Sequence, residues 1–530
     1  MSEKEYIVSL AKNVDYDQFN QDMIASTGAG AIPGRSVDVA NARPGSKRNT
    51  HYALTEEEVV ALRNDSRVLD VALPPDQDDS LEIGVNARYS GIFYKGTDDG
   101  GEYIDWGKRR HSIQEETTIW YPQLSGSYDY SLDGSGVDVV IQDSGLQVDH
   151  PEFTDENGNS RVQQIDWYAE SGLSGTQNVN HYRDLDGHGT HCAGTAAGKT
   201  FGWAKGSRVY SVKVNGLEGT GDSGTGISIS DVFDVIKLWH RNKPVDPITG
   251  KKRPTIVNAS WGYSTGASGI QSVVYRGTQY NLDGSGGATA DPSFSSNPNT
   301  HMRDTYGIYP YITQSGYRMP TRVTSVDTDV QELIDEGVHI CIAAGNNSFK
   351  VDTSTGDDWN NRVSISGFTR YYHQGSSPYD TEAFMVGSLL SENAAGDRKV
   401  DFSTTGPGVD IYAAGDEITS ATSNTNKFAD AAYWGDSNFR QCNINGTSMA
   451  APQVCGVGAL YLQANPGLTP AQLKSMIHND SSETMVAGTL TGYGSLNDAM
   501  GGPRRVLVSR YTNYIPFTNT LSGKYSIRRR

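Results

Sequence analysis

The sequence predicts an α/β fold with a mostly parallel central sheet, preceded by a small α+β unit of ferredoxin-like order. Three observations carry that expectation. β-Branched runs alternate with stretches of helical spacing through the middle of the chain, and such alternation implies parallel strands joined by right-handed crossovers. The run beginning at Val137 ends in Asp143-Ser144-Gly145. A strand there delivers a carboxylate to the carboxyl edge of the sheet, where open α/β sheets place their ligands. Finally, 36% apolar residues and 59 glycines in 530 residues suit a large, loop-rich globular chain.

The elements follow in order. Residues 1–75 hold the small unit: strand Glu5–Leu10, helix Tyr16–Ile24, strand Thr50–Leu54, a second helix to about Arg63, and strand Val68–Leu73. Thr55 and Glu58 have the spacing of a capping box at the start of that second helix. Residues 76–105 are acidic and turn-rich and read as a linker. Residues 106–500 make the large unit, with strand Arg208–Val214, helix Ser230–His240, strand Thr255–Ala259, helix Thr328–Glu336 and strand Val338–Ala344. Two stretches without clear periodicity, near 263–325 and 422–440, read as insertions; loops of such length are usually functional or interaction surfaces. Residues 501–530 read as an edge strand with a basic docking tail, a surface for a larger assembly.

Bulk properties narrow the classes. A net charge of −18 argues against a nucleic-acid partner. No apolar window of about 18 residues occurs, so no membrane span is expected. MSEKEYIVSLAKN at the start lacks the apolar core of a secretory signal, which favours a cytoplasmic or virion-associated setting over classical secretion. Cys192, Cys341, Cys442 and Cys455 lie in or beside the motifs below, and read as reduced buried thiols rather than a disulfide framework.

The chemistry concentrates in three motifs. In Asn445-Gly446-Thr447-Ser448-Met449-Ala450-Ala451-Pro452, a Gly-Thr turn feeds an apolar helix. Ser448 is then at a helix N-terminus, where backbone N–H groups favour developing negative charge. Pro452 fits a first helical turn, where its missing N–H is no loss. In Asp186-Gly187-His188-Gly189-Thr190-His191-Cys192, glycines flank a histidine that opens a small-residue helix. Asp143 supplies the third member.

The three motifs, in the chain order Asp…His…Ser, resemble the subtilisin-like serine proteases (subtilases, peptidase S8) over roughly Trp106 to Met500. GHGTHCAG and the KTFGWAKGSRVYSVKV that follows look most like the proteinase K branch. The resemblance implies a subtilisin-like three-layer fold and a serine endopeptidase acting on polypeptides. It implies a triad of Asp143, His188 and Ser448, with His188 rather than His191 as the base. Asn346, in Ala343-Ala344-Gly345-Asn346, is implied as the side-chain oxyanion donor. Substrate is expected to add as a β-strand between Gly219-Thr220-Gly221 and Ser260-Trp261-Gly262. Ala343, Ala344 and Gly345 are expected to wall an apolar P1 pocket, with Trp261 narrowing the adjoining ones. Asp184 and Asp186, just before His188, suggest a P2 pocket for Lys or Arg. Gln453 stands where the family commonly has histidine, which puts local packing in question.

The small unit resembles the inhibitor I9-type prodomain, implying a self-inhibited zymogen with its own prodomain as intramolecular inhibitor, cut in the linker. The chemistry requires no cofactor. Structural calcium is compatible with the acidity but has no assigned ligands, and Asp155–Asn159 reads as a surface turn because it lacks the glycine and distal glutamate of an EF-hand loop. The competing expectation is an assembly protein, for example a virion component, that retains a subtilase domain.

Overall fold

Seven strands, all parallel, form the central sheet of the computed structural model. Their order is Ile411–Ala414, Phe384–Leu389, His339–Ala343, Thr255–Ala259, Asp138–Asp143, Arg208–Lys213 and Val162–Gln163. The structure describes residues 3–25, 35–78, 80–85, 88–89, 105–113, 126–247, 250–267, 269–282, 289–290, 298–309, 317–365, 367–391, 396–486 and 499–516.

Strand side chains alternate between two cores. Val139 and Ile141 join a cluster with Ala193 and Ala197 of helix His188–Ala197 and with Val454 and Val457 of helix Thr447–Ala464. Val140 points the other way, into a cluster with Phe233 and Ile236 of helix Val232–Asn242 and with Val330 and Leu333 of helix Thr324–Asp335. The period of two therefore divides one buried strand between two helical layers, giving three layers. The last helix begins at Thr324, four residues before its expected start. Phe384–Leu389 and Ile411–Ala414 are sheet strands that the sequence reading left unassigned.

Residues 4–72 form a four-stranded antiparallel sheet in the order Val39–Asn41, Asn49–Leu54, Lys4–Leu10, Val68–Ala72. Helices Tyr16–Ile24 and Glu56–Leu62 cover one face, burying Phe19, Met23, Val59 and Leu62 against Tyr6, Val8, Tyr52 and Leu54. The Thr55–Glu58 capping box is formed. The other face packs on helix Thr324–Asp335.

Arg43 drives the charged part of that contact. Its buried guanidinium bonds to Asp234 Oδ2 (3.1 and 3.0 Å) and to Asp329 Oδ1 (2.9 Å). Lys237 Nζ reaches Asp234 Oδ1 at 2.9 Å and Glu332 Oε2 at 2.7 Å. Three buried or half-buried carboxylates thus share two cations, which is what their desolvation demands.

Three expectations need correction. The stretch near 263–325 is not featureless. Its strands Thr289–Ala290, Thr278–Asn281 and Ile270–Tyr275 join Arg362–Ile365 and Phe368–Tyr371, from later in the chain, in a five-stranded sheet with a core of its own around Val273, Met302, Tyr306 and Tyr372. The stretch near 422–440 is largely a hairpin, Asp430–Tyr433 against Asp436–Asn445. The linker 76–105 contains two strands: Glu82–Val85 pairs with Trp261–Ala267, and Arg88–Tyr89 pairs with the end of Asp436–Asn445. Short strands that borrow a distant edge carry no period of their own. In the tail, Thr512–Pro516 pairs with Gly126–Tyr130; its basic end lies outside the described residues. All four cysteines are free and buried. Among the described residues no helix is long and apolar enough to cross a membrane.

Candidate active site

Asp143 ends its strand with its carboxylate fully buried, and its Oδ1 lies 2.8 Å from His188 Nδ1. The contact depends on Gly189. A Cβ there would stand 2.1 Å from the Gly145 carbonyl oxygen, so only glycine lets the helix start press onto the turn after Asp143. Ser144 ties the same joint: its Oγ accepts from Gly189 N (2.9 Å) and donates to Asp184 Oδ1 (3.0 Å).

His191 is pinned elsewhere. Its Nε2 meets the Ile418 carbonyl at 3.1 Å, and burial lowers its pKa to about 3, so it stays neutral. His188 Nε2, by contrast, is buried with no hydrogen-bond partner in the described structure. An imidazole held at one nitrogen by a carboxylate and bare at the other is built to accept a proton there.

Ser448 is the second residue of helix Thr447–Ala464, where N–H groups have no acceptor within the helix. Its hydroxyl donates to the Ser260 carbonyl at 2.9 Å. Pro452 lies beyond the first turn, contrary to expectation, and withholds the N–H that would bond to the Ser448 carbonyl. Side chains fill the gap: Ser260 Oγ donates to that carbonyl at 2.9 Å and Cys192 Sγ at 3.4 Å. Cys192 Sγ is also 3.7 Å from His188 Nδ1, so one residue touches both helices of the site. Burial pushes its thiol pKa well up, so it packs here as a neutral group.

Asn346 follows strand His339–Ala343. Its Oδ1 accepts from Thr447 N (2.9 Å) and Thr447 Oγ1 (2.8 Å), which fixes the amide plane beside the start of the serine helix. Gly345 N donates to Thr447 Oγ1 at 3.1 Å. Ala343 and Ala344 are buried next to it. Ser144, Thr447 and Cys192 are the organising residues that motif reading missed; Ser144 and Cys192 stood inside quoted motifs without a role.

Trp261 does not narrow the cleft. Alternation along Trp261–Ala267 turns its ring inward, where it is fully buried between Phe233 and Tyr263 and donates from Nε1 to Gln142 Oε1 at 3.1 Å. Gly262 lies opposite Gly84 in the strand that pairs residues 82–85, and Ser260 directly precedes that strand. Gly219-Thr220-Gly221 forms no strand; Gly219 packs on Leu185 and Gly221 has φ +88°.

The acidic pair before His188 is already engaged. Asp184 accepts from the N–H groups of Asp186, Gly187 and Thr190 and from Thr190 Oγ1, capping the histidine helix. Asp186 is ion-paired with Lys427 at 2.6 Å, and its burial raises its pKa. The expected open carboxylate pair is therefore corrected, since groups this buried require partners. Gln453 answers the packing question by accepting from Trp203 Nε1.

Two clusters of metal-ligating side chains occur among the described residues. One is Asp143, His188 and Cys192; the other is Asp234, Asp329 and Glu332, filled by Arg43 and Lys237. Asp155 is engaged within its own turn by Asn157 N and by Asn159 N and Nδ2.

The model of the subtilase family, peptidase S8, matches residues 134–501. The chain is 28% identical to the extracellular serine proteinase of Thermus sp. strain Rt41A over 354 residues, covering 67% of this chain and 57% of that protein. It is 25% identical to the cuticle-degrading serine protease of Arthrobotrys oligospora over 388 residues, covering 73% and 66%. The chain thus spans less than two thirds of either relative. Fervidolysin of Fervidobacterium pennivorans, a keratinolytic enzyme related to subtilisin, shares the fold with TM-score 0.51 at 15% identity, over 96% of this chain and 60% of that one. With the family model matching more than half of the chain, on a parallel three-layer core that brings its three motifs together, the protein belongs to the subtilase family.

Proposed function

We propose that the chain is a serine endopeptidase that cuts polypeptides through an acyl-enzyme on Ser448. The observation that carries this reading is the 2.8 Å Asp143–His188 contact beside a serine at a helix start. A χ1 rotation takes the Ser448 hydroxyl from the Ser260 carbonyl to His188 Nε2. That nitrogen accepts the proton as Oγ bonds to the substrate carbonyl carbon. Asp143 keeps the Nδ1–H tautomer and stabilises the imidazolium. The Ser448 N–H and Asn346 Nδ2 receive the oxyanion. Collapse expels the amine, which takes the His188 proton; water then attacks the ester with His188 again as base. Ala343 and Ala344 favour an apolar P1 residue. Digestion of a denatured protein, with product sequencing, tests the reading: cuts after apolar residues, absent in Asp143→Asn, are expected.

The same reading extends to a zymogen in which the unit at residues 4–72 is an I9-type prodomain of a proteinase K-like enzyme. Val85 pairs with Trp261, and Arg88 pairs with Asn445, three residues before Ser448. Flanks held on both sides of the serine support a chain that crosses the site as a substrate does. The bonds between Val85 and Arg88 are then the ones presented for self-cleavage, narrower than the whole linker. Intact-mass analysis tests this, with products whose ends fall at 85–88 as the expected result.

A further inference from the structure

Strand Asp436–Asn445 has two edges, and their occupants can be followed residue by residue. Ile418–Thr422 covers one edge, opposite residues 440–444. The other edge carries two separate partners. Arg88 and Tyr89 sit opposite Asn445 and Ile444. Asp430, Ala431 and Ala432 sit opposite Cys442, Gln441 and Arg440. Only the station opposite Asn443 lies between Tyr89 and Asp430.

The hairpin that supplies Asp430 is anchored at the catalytic histidine. Lys427 pairs with Asp186 at 2.6 Å, and its N–H donates to the Asp186 carbonyl at 3.1 Å. Asn426 Cβ lies 2.5 Å from where a Cβ on Gly187 would stand, so loop and helix start are in close contact. Asn426 Nδ2 also holds Asp430 Oδ2 at 2.8 Å.

Resting on the peptidase reading, we infer that the 422–440 hairpin is an end-stop on the leaving-group side of the cleft, so that a substrate gains pairing there only as far as the station opposite Asn443. A bound chain lies antiparallel on this edge and gains ladder hydrogen bonds residue by residue. At Cys442 the edge already belongs to Asp430, and the chain must turn out to solvent. Recognition beyond the scissile bond is therefore short-range by construction. Asp430–Tyr433, rather than any pocket, is the element that sets its length.

The test uses C-terminally amidated peptides with the chain's own sequence, all beginning at Ser80 and ending at residues 87, 88, 89, 90, 91 and 93, cleaved by enzyme activated from the full chain. kcat/KM should rise as the peptide extends to residue 90, by about fivefold for each added ladder hydrogen bond, and change less than about twofold beyond it on the same scale. N-methylation of the backbone at residues 88–90 should include at least one position that costs a comparable factor; N-methylation at 91–93 should cost nothing. A rate that keeps climbing past residue 90, or an equal penalty from N-methylation at 91–93, would overturn the end-stop while leaving the peptidase intact. Failure to cleave any peptide, including unrelated ones, would overturn the peptidase reading and the end-stop with it.

Discussion

Lys427 closes over Asp186. Its Nζ is 2.6 Å from the Asp186 carboxylate, on a loop that also packs against Gly187 at the start of the helix that His188 opens. The 422–440 stretch thereby supplies the cation that pairs with the buried carboxylate of Asp186.

Removing that cation should change specificity rather than fold. In Lys427→Ala, Asp186 is left to seek a partner, and substrates with Lys or Arg at P2 should gain about 5- to 30-fold in kcat/KM, less at high salt. The wild type should show no such preference. Peptide-library profiling of both proteins at two ionic strengths checks this; identical P2 profiles would place Asp186 away from that pocket.

Arg43→Met should loosen the N-terminal unit. The substitution leaves Asp234 with Lys237 as its cation and Asp329 with the neutral Asn49 amide, and breaking a buried ion cluster on one side typically costs about 3–5 kcal/mol. After self-cleavage the N-terminal fragment should separate from the large unit on gel filtration, whereas in wild type the two should co-elute. Co-elution in the variant would assign the association to the apolar contacts instead.

Asn346→Leu should lower kcat by roughly 10²–10³-fold with little change in KM, as loss of one oxyanion donor does. Steady-state kinetics decide it. Because Asn346 Oδ1 also accepts from Thr447, thermal melting of the variant should accompany the kinetics to separate lost chemistry from a lost helix cap.

His111 should make the fold acid-sensitive. Its Nε2 accepts from Ala414 N at 2.9 Å, and its Nδ1 donates to the Leu507 carbonyl at 2.8 Å, so the ring must be neutral. Burial, helped by the nearby Arg110 charge, lowers its pKa to about 3. The unfolded chain takes up a proton near the ordinary histidine value and the folded chain does not. The stabilisation is thus complete above about pH 6.5 and is lost as pH falls toward 3, by up to about 1.4 kcal/mol per pH unit. Urea midpoints between pH 7 and 4.5 should fall more steeply for wild type than for His111→Gln; parallel slopes would contradict this.

Much of the fold and site was legible because it rests on local signals. The alternation of Val139, Val140 and Ile141 already encodes two buried faces, and glycine at 189 marks the point where backbone must touch backbone. What was not legible depends on partners far away in the chain. Residues 82–85 and 88–89 look like parts of an acidic linker until the edges of Trp261–Ala267 and Asp436–Asn445 turn them into strands. The direction of Trp261 follows from which strand face is buried, not from its neighbours in sequence. Asp184 and Asp186 looked like ligands for a cation because sequence cannot reveal that backbone amides and Lys427 already hold them. Within 263–325, strands Thr278–Asn281, Thr289–Ala290 and Tyr317–Pro320 are only four, two and four residues long, too short to show a period.

A Ser448 hydroxyl activated by His188 should react as a nucleophile with an electrophilic phosphorus centre. Labelling with a fluorophosphonate, read by intact mass on wild type beside Ser448→Ala, tests it most directly. One adduct per wild-type chain, mapped to Ser448, and none on the variant is the predicted result. An adduct that persists in Ser448→Ala, or a wild type that hydrolyses protein while staying unlabelled, would contradict it.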